Sequence, residues 1–201
     1  MKNILLVEDD TALRKQICFS LEKDFNVFEA QNRKETIKIL RENDVDIVLL
    51  DLGLPPSENT PAEGLKLIDM ILNKGLIKII VLTGQETERA AVESIKRGVF
   101  DYLLKPVKIE KLLFSIERAA VYQKAEKKME EDGIKNISLN VKVNEGLQPL
   151  REAAEKKAIH RVLKDTDFNV YKTAKIMGIK RESIYYFIKK FGWKRVTKRP
   201  F

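Results

Sequence analysis

The chain has one cysteine, one tryptophan, one histidine and six prolines in 201 residues. Cys18 alone cannot form an internal disulfide, which excludes a disulfide-stapled fold and fits a cytoplasmic setting. No apolar run approaches the roughly 20 residues needed to span a bilayer, so no membrane partner is expected. Met1-Lys2-Asn3 leads straight into a strand pattern, without the layout of a signal peptide. No G-x-x-x-x-G-K-[ST] run occurs, which excludes a P-loop ATPase, and there is no internal repeat. Against these absences stand 44% apolar and 34% charged residues, the balance of a globular protein with a sizeable core.

Charge is divided along the chain. Residues 1–124 carry a net charge of −1 and residues 125–201 a net charge of +9, giving the overall +8. The basic character belongs to the second part, and it points to an anionic partner for that part.

The first part alternates between two periods. Buried-strand runs fall at 3–8, 27–30, 45–50, 77–82 and 100–104, and each is followed by helical spacing at about 11–22, 33–43, 65–72, 87–97 and from 109. Five β-α units predict a doubly wound α/β fold, a five-stranded parallel sheet with helices on both sides. Lys124 to Asp132 is charged and Gly133 breaks it, so the stretch reads as the start of a solvated linker rather than an extension of the preceding helix toward a partner chain. The expected organisation is a first domain at 1–123, a linker at 124–148 and a small all-α domain at 149–201. Within the last, helices are predicted at 150–163, 170–177 and 181–191.

The strand ends carry the chemistry. Glu8 and Asp9 follow the first strand, Asp51 the third, Thr83 the fourth and Lys105 the fifth, and in a parallel sheet these ends share one edge, where α/β folds bind ligands. Carboxylates so close together repel unless a cation joins them. Hard oxygen donors with room for water suit Mg²⁺. With Lys105 and a metal balancing charge, Asp51 can attack a phosphoryl group and hold it as an acyl phosphate. Asp10 is placed to cap the following helix.

Leu6-Val7-Glu8-Asp9-Asp10, Leu50-Asp51-Leu52-Gly53-Leu54-Pro55, Val81-Leu82-Thr83-Gly84 and Phe100-Asp101-Tyr102-Leu103-Leu104-Lys105-Pro106, in that order, resemble the receiver domain of two-component response regulators, which has the flavodoxin-like fold. The resemblance implies that Asp51 is the phosphoacceptor, charged by a sensor histidine kinase. It implies Mg²⁺ bound by Asp9, Asp51 and the backbone carbonyl of Gly53, with Glu8 acting through water. Lys105 would pair with the phosphate, Thr83 and Tyr102 would form the switch pair, and the Lys105–Pro106 bond would be cis. The loop from Asp51 to Gly64 is longer than is common in that family. With its Asp-Leu-Gly-Leu-Pro-Pro run it resembles receivers of regulators associated with exopolysaccharide and PEP-CTERM systems. A phosphatase of the haloacid dehalogenase type is the enzymatic alternative, but its D-x-D run follows the first strand, where this chain has Glu8-Asp9-Asp10.

In the second part, residues 180–199 hold eight Lys or Arg against Glu182 alone, the electrostatic footprint of a duplex binder. Asn169, Ala174, Gly178-Ile179, Arg181, Ile184-Tyr185 and Ile188-Lys189-Lys190-Phe191-Gly192 resemble the Fis-type helix-turn-helix. The resemblance implies that the third helix enters the major groove of double-stranded DNA, with Lys180, Arg181, Glu182, Ser183 and Tyr186 at its leading end. Lys172, Lys175, Lys189, Lys190, Lys194 and Arg195 would meet phosphates. Tyr186 and Phe187 stand where the family usually has basic residues, which implies fewer phosphate contacts or an interface role for Phe187. The helix at 150–163 would dimerise, and its His160 receives no function. Taken together, the chain reads as a phosphorylation-controlled transcriptional regulator, homodimeric when phosphorylated, acting on RNA polymerase and not an enzyme. The alternative is an interaction module with weak, nonspecific DNA binding.

Overall fold

In a computed structural model, residues 1–56, 60–84, 88–134 and 147–194 are described. Two compact units divide the chain, 1–134 and 135–201. The first alternates β1 (Asn3–Val7), α1 (Thr11–Leu21), β2 (Asn26–Ala30), α2 (Arg33–Glu42), β3 (Ile47–Leu50), α3 (Ala62–Leu72), β4 (Lys78–Thr83), α4 (Glu88–Arg97), β5 (Asp101–Leu104) and α5 (Ile109–Glu131). All neighbouring strands pair in parallel, in the order β2-β1-β3-β4-β5. The doubly wound expectation is met.

The central strands β1, β3 and β4 carry unbroken apolar runs because both faces are covered, and their alternate residues feed two separate cores. Leu5, Val7, Val48, Leu50, Ile79 and Val81 pack on one side with Leu67, Ile68 and Ile71 of α3. Ile4, Leu6, Ile47, Leu49, Ile80 and Leu82 pack on the other with Cys18 and Leu21 of α1 and Leu112, Ile116 and Ala119 of α5. Cys18 is buried, and that burial, reinforced by the Glu22 carboxylate, pushes its thiol up to about 12.

Between β3 and α3 the chain doubles back tightly. Leu52 and Leu54 are fully buried, and Gly64 comes so close to Leu52 that an added Cβ would lie 2.5 Å from its Cα and 3.0 Å from its carbonyl oxygen. Backbone atoms cannot yield as a side chain can. Gly64→Ala is therefore expected to lower stability by about 1–3 kcal/mol, as other overpacked positions do, readable as a lower urea midpoint at unchanged slope.

One expectation needs correction. The stretch from Lys124, read as a linker, continues α5 as far as Glu131. Helical periodicity could not show this because the segment's contacts are polar: Gln123 is buried, Lys127 pairs with Asp46 and Glu126 with Lys78. Of the rest of the expected linker, 135–146 lies outside the described residues, and Leu147 and Gln148 already belong to the next helix.

In the second unit α6 (Leu147–Asp165), α7 (Val170–Met177) and α8 (Arg181–Phe191) surround a core of Ile159, Leu163, Ala174 and Ile184. Asn169 caps α7 by accepting from the Lys172 amide at 3.0 Å. Gly178, at φ +64°, takes the left-handed conformation that ends α7, and the Ile179 amide donates back to the Ala174 carbonyl at 3.1 Å. Phe187 stacks on Phe191 and packs against the core, so it is engaged within the unit. His160 stacks on Trp193 with ring centroids 4.8 Å apart.

Candidate functional site

The C-terminal edge of the sheet gathers the residues that strand-end chemistry singled out. β1 ends at Val7 and delivers Glu8 and Asp9, while β3 ends at Leu50 and delivers Asp51. One carboxylate oxygen from each of Glu8, Asp9 and Asp51 lies within 4.8 Å of the others. From β5, Lys105 Nζ donates to Glu8 Oε2 at 2.6 Å and to Asp51 Oδ2 at 2.9 Å. The other Asp51 oxygen, Oδ1, accepts from the Gly53 amide at 3.3 Å, which fixes the rotamer. Both Glu8 and Asp51 are buried, and so is Thr83 at the end of β4.

The electrostatics follow from this crowding. Burial pushes the Glu8 carboxyl above its usual range despite the bond from Lys105, and the nearby Asp51 and Asp9 add to the rise. Burial alone would lower the Lys105 ammonium, but its bonds to Glu8 and Asp51 prevail and raise it. Burial also raises the Tyr102 hydroxyl, with the charge of Asp51 contributing. Tyr102 is half-buried against the α3 side of the sheet. Three carboxylates facing one ammonium leave an excess of negative charge among hard oxygen donors. A divalent cation fits that donor set.

Asp10 caps α1 as expected, accepting from the amides of Ala12 at 2.8 Å and Leu13 at 3.1 Å. The Lys105–Pro106 bond is cis, and so is Pro55–Pro56. Sequence reasoning missed Arg14. Its Nη1 donates to the carbonyls of Glu8 at 2.6 Å and Asp9 at 3.3 Å, while Nε pairs with Glu29. The signal was a charged residue in the register of Cys18 and Leu21, the buried face of α1. Part of the Asp51 to Gly64 loop, 57–59, lies outside the described residues.

In the second unit, Lys172, Lys175, Lys180, Arg181, Glu182 and Lys189 are exposed. Tyr171, Lys175, Lys180, Arg181 and Glu182 line an open cleft of about 450 Å³ where α7 turns into α8. Ser183 is half-buried, and its amide donates to the Lys180 carbonyl at 3.1 Å. Two residues expected at DNA are partly engaged elsewhere. Lys190 Nζ pairs with Glu152 of α6 at 2.7 Å and lies over the rings of Tyr186 and Phe191, and Tyr186 meets Phe187 edge-on. Of the other expected phosphate contacts, Lys194 is exposed, and Arg195 lies outside the described residues.

An acidic trio and a lysine on the edge of a parallel five-stranded sheet, in one chain with a basic three-helix unit, define a response regulator with a helix-turn-helix. Residues 4–117 match the response regulator receiver domain, more than half of the chain, and the chain belongs to that family. Residues 150–191 match the bacterial regulatory protein, Fis family. The chain is 33% identical over 143 residues to a putative response regulator NtrX-like of Rickettsia felis, covering 70% of this chain and 28% of that one. It is also 32% identical over 113 residues to the KDP operon transcriptional regulatory protein KdpE of Escherichia coli, covering 56% of this chain and 48% of that one. The chain thus spans half or less of the length of these curated relatives.

Among solved structures, a response regulator from Burkholderia pseudomallei with a phosphorylated aspartic acid, calcium ion and citrate is 26% identical. The match has a TM-score of 0.53 and covers 92% of this chain and 97% of that one. The beryllofluoride-activated NtrC4 receiver domain dimer is 27% identical with a TM-score of 0.56, covering 61% of this chain and 99% of that one. These relatives bear names from outside the exopolysaccharide- and PEP-CTERM-associated group, so that narrower likeness rests on the loop motif alone. No helix among the described residues is long and apolar enough to cross a membrane.

Proposed function

We propose that the chain is a transcriptional regulator of a two-component system, working in the cytoplasm, whose DNA binding is controlled by a phosphoryl group on Asp51. The observation that carries this reading is Lys105 bonded at once to Asp51 and Glu8, with Asp9 beside them, in a chain that also carries a Fis-type helix-turn-helix. A sensor histidine kinase is the donor: an Asp51 oxygen forms the new P–O bond as the P–N bond to the kinase histidine breaks. Lys105 then moves from the carboxylate to the phosphoryl oxygens, the charge that most needs neutralising. Thr83 offers its hydroxyl to the same oxygens, and Tyr102 follows it toward the space beside Asp51.

Mg²⁺ would be held by Asp9, Asp51 and the Gly53 carbonyl, with Glu8 acting through water, and it supplies positive charge for the transferred phosphoryl group. The chain's own residues fix the geometry: Arg14 holds the acidic loop by its carbonyls, and the Gly53 amide orients Asp51. Phosphorylation shifts a pre-existing equilibrium toward a homodimer, which places two copies of α8 in successive major grooves. Arg181 is the first candidate for a base contact, with Lys172, Lys175, Lys180 and Lys189 along the phosphates. The regulatory output acts on RNA polymerase, by contact or by blocking.

The test is selection of DNA from random and genomic fragments near physiological salt, with and without beryllofluoride. A single palindromic motif enriched more strongly with beryllofluoride is the expected result. No motif in either state would overturn the reading in favour of a protein-partner module, since nonspecific electrostatic binding falls steeply with salt.

A further inference from the structure

At the opposite end of β3 from Asp51 stands Asp46, and it joins four parts of the first unit. Its Oδ2 accepts from the Asn3 amide at 3.1 Å; its Oδ1 accepts from Lys127 Nζ at 3.1 Å and Lys2 Nζ at 3.4 Å. Its carbonyl accepts from Gln123 Nε2 at 3.0 Å and from the Lys78 amide at 3.1 Å. Gln123 is 1% exposed, and its Oε1 accepts from Lys2 Nζ at 2.8 Å. One turn on, Glu126 pairs with Lys78, whose ammonium lies 4.8 Å from the centre of the Tyr122 ring. Burial would raise the Asp46 carboxyl, but the Asn3 amide, Lys127 and Lys2 together hold it below its usual range.

These contacts give β3 and α5 a shared frame. At the upper end of β3, Asp51 is bonded to Lys105, four residues before α5 begins. At the lower end, Asp46 is bonded to Gln123 and Lys127 in the last turns of the same helix. A 23-residue helix is about 35 Å long at 1.5 Å per residue, and it runs from Ile109, four residues after the Lys105 attachment, through the Asp46 attachment in its last turns. Residues 124–131 are charged and largely exposed, and their attachment rests on these polar partners.

We propose that the Asp46–Gln123–Lys127 clamp couples the phosphorylation site to the DNA-binding unit. It makes the end of α5 part of the receiver body, so that a change of partner at Lys105 is passed along α5 to the point where the chain leaves the first unit. Without the clamp the last turns fray, and the displacement ends inside the receiver. The coupling rests on the phosphorylation-controlled reading above, and it assigns that control to residues that belong to neither site. A helix that follows directly on Lys105 and is bonded at its far end to the residue before β3 is a contiguous element that can carry a coupling free energy.

Lys127→Ala tests this in the full-length chain, because Lys127 is 52% exposed and its loss leaves the core intact. Asp46→Ala is the stronger variant and Lys127→Arg the conservative one. Beryllofluoride binding at Asp51 and basal affinity for the selected DNA are expected to stay within about twofold of the starting chain, as for a surface change. Hydrogen exchange of residues 124–131 rises about threefold or more as that segment opens locally. The gain in DNA affinity on adding beryllofluoride shrinks by about threefold or more in Lys127→Ala and is restored in Lys127→Arg. An unchanged gain in both Lys127→Ala and Asp46→Ala would overturn the clamp while leaving the phosphorylation-controlled reading standing. Absence of any gain in the unsubstituted chain would overturn both.

Discussion

Asp51→Asn is expected to abolish phosphoryl uptake from a small-molecule donor such as acetyl phosphate, with no mass increment by intact-protein spectrometry under conditions that saturate the unsubstituted chain. The amide keeps the shape of the carboxylate but lacks the anionic oxygen that attacks phosphorus, so the covalent step has no nucleophile. Neither Glu8 nor Asp9 can replace it. Glu8 is buried, bonded to Lys105 and shifted toward its protonated form, and Asp9 follows a different strand. The substitution should leave stability within about 1 kcal/mol, because one ion pair to Lys105 is lost while like-charge crowding with the other two acids is relieved. A thermal melt recorded on the same sample makes that distinction. DNA affinity should then be the same with and without the donor. Phosphate incorporation at an undiminished level would move the acceptor elsewhere and undo the assignment of Asp51.

The parts of this architecture legible in the sequence are those in which the cause is local. Ile4–Val7, Ile47–Leu50 and Ile79–Leu82 are apolar at every position because each strand feeds the α3 core with one set of alternate residues and the α1/α5 core with the other. Once these are strands of a parallel sheet, the residues that follow them must meet at one edge, and Glu8, Asp51 and Lys105 do. Gly178 and Asn169 announce the ends of α7 for equally local reasons.

What stayed hidden depends on partners distant in the chain. Gln123 and Lys127 lie 77 and 81 residues from Asp46, and no periodicity can reveal that a charged stretch is held as helix by such bonds. Arg14 occupies a core register of α1 because its guanidinium finds the carbonyls of Glu8 and Asp9, a compensation visible only after the loop is built. In α8, charge and position alone put Lys190 at DNA, whereas Glu152, 38 residues earlier, draws it to α6.

The second large effect is expected at Ile184, which is fully buried at the centre of the helix-turn-helix unit. Among the described residues that core contains three other buried apolar residues, Ile159, Leu163 and Ala174, ringed by half-buried ones such as Phe187 and Met177. Truncating a buried isoleucine to alanine costs about 2–5 kcal/mol, depending on how far the site can collapse. A helical stretch of about 50 residues such as 147–194 has a stability of roughly 2–7 kcal/mol at about 0.05–0.15 kcal/mol per residue, so the loss is comparable to the whole. Ile184→Ala should therefore expose residues 147–194 to rapid hydrogen exchange and eliminate binding to the selected DNA, while phosphoryl uptake at Asp51 continues. Arg181→Ala provides the contrast, since Arg181 is exposed: binding weakens by about 1–3 kcal/mol, with amide protection unchanged. Weaker binding in both variants, with loss of protection only in Ile184→Ala, separates contact from fold. If Ile184→Ala kept both protection and binding, the four-residue core would not be what holds α8 against α6 and α7.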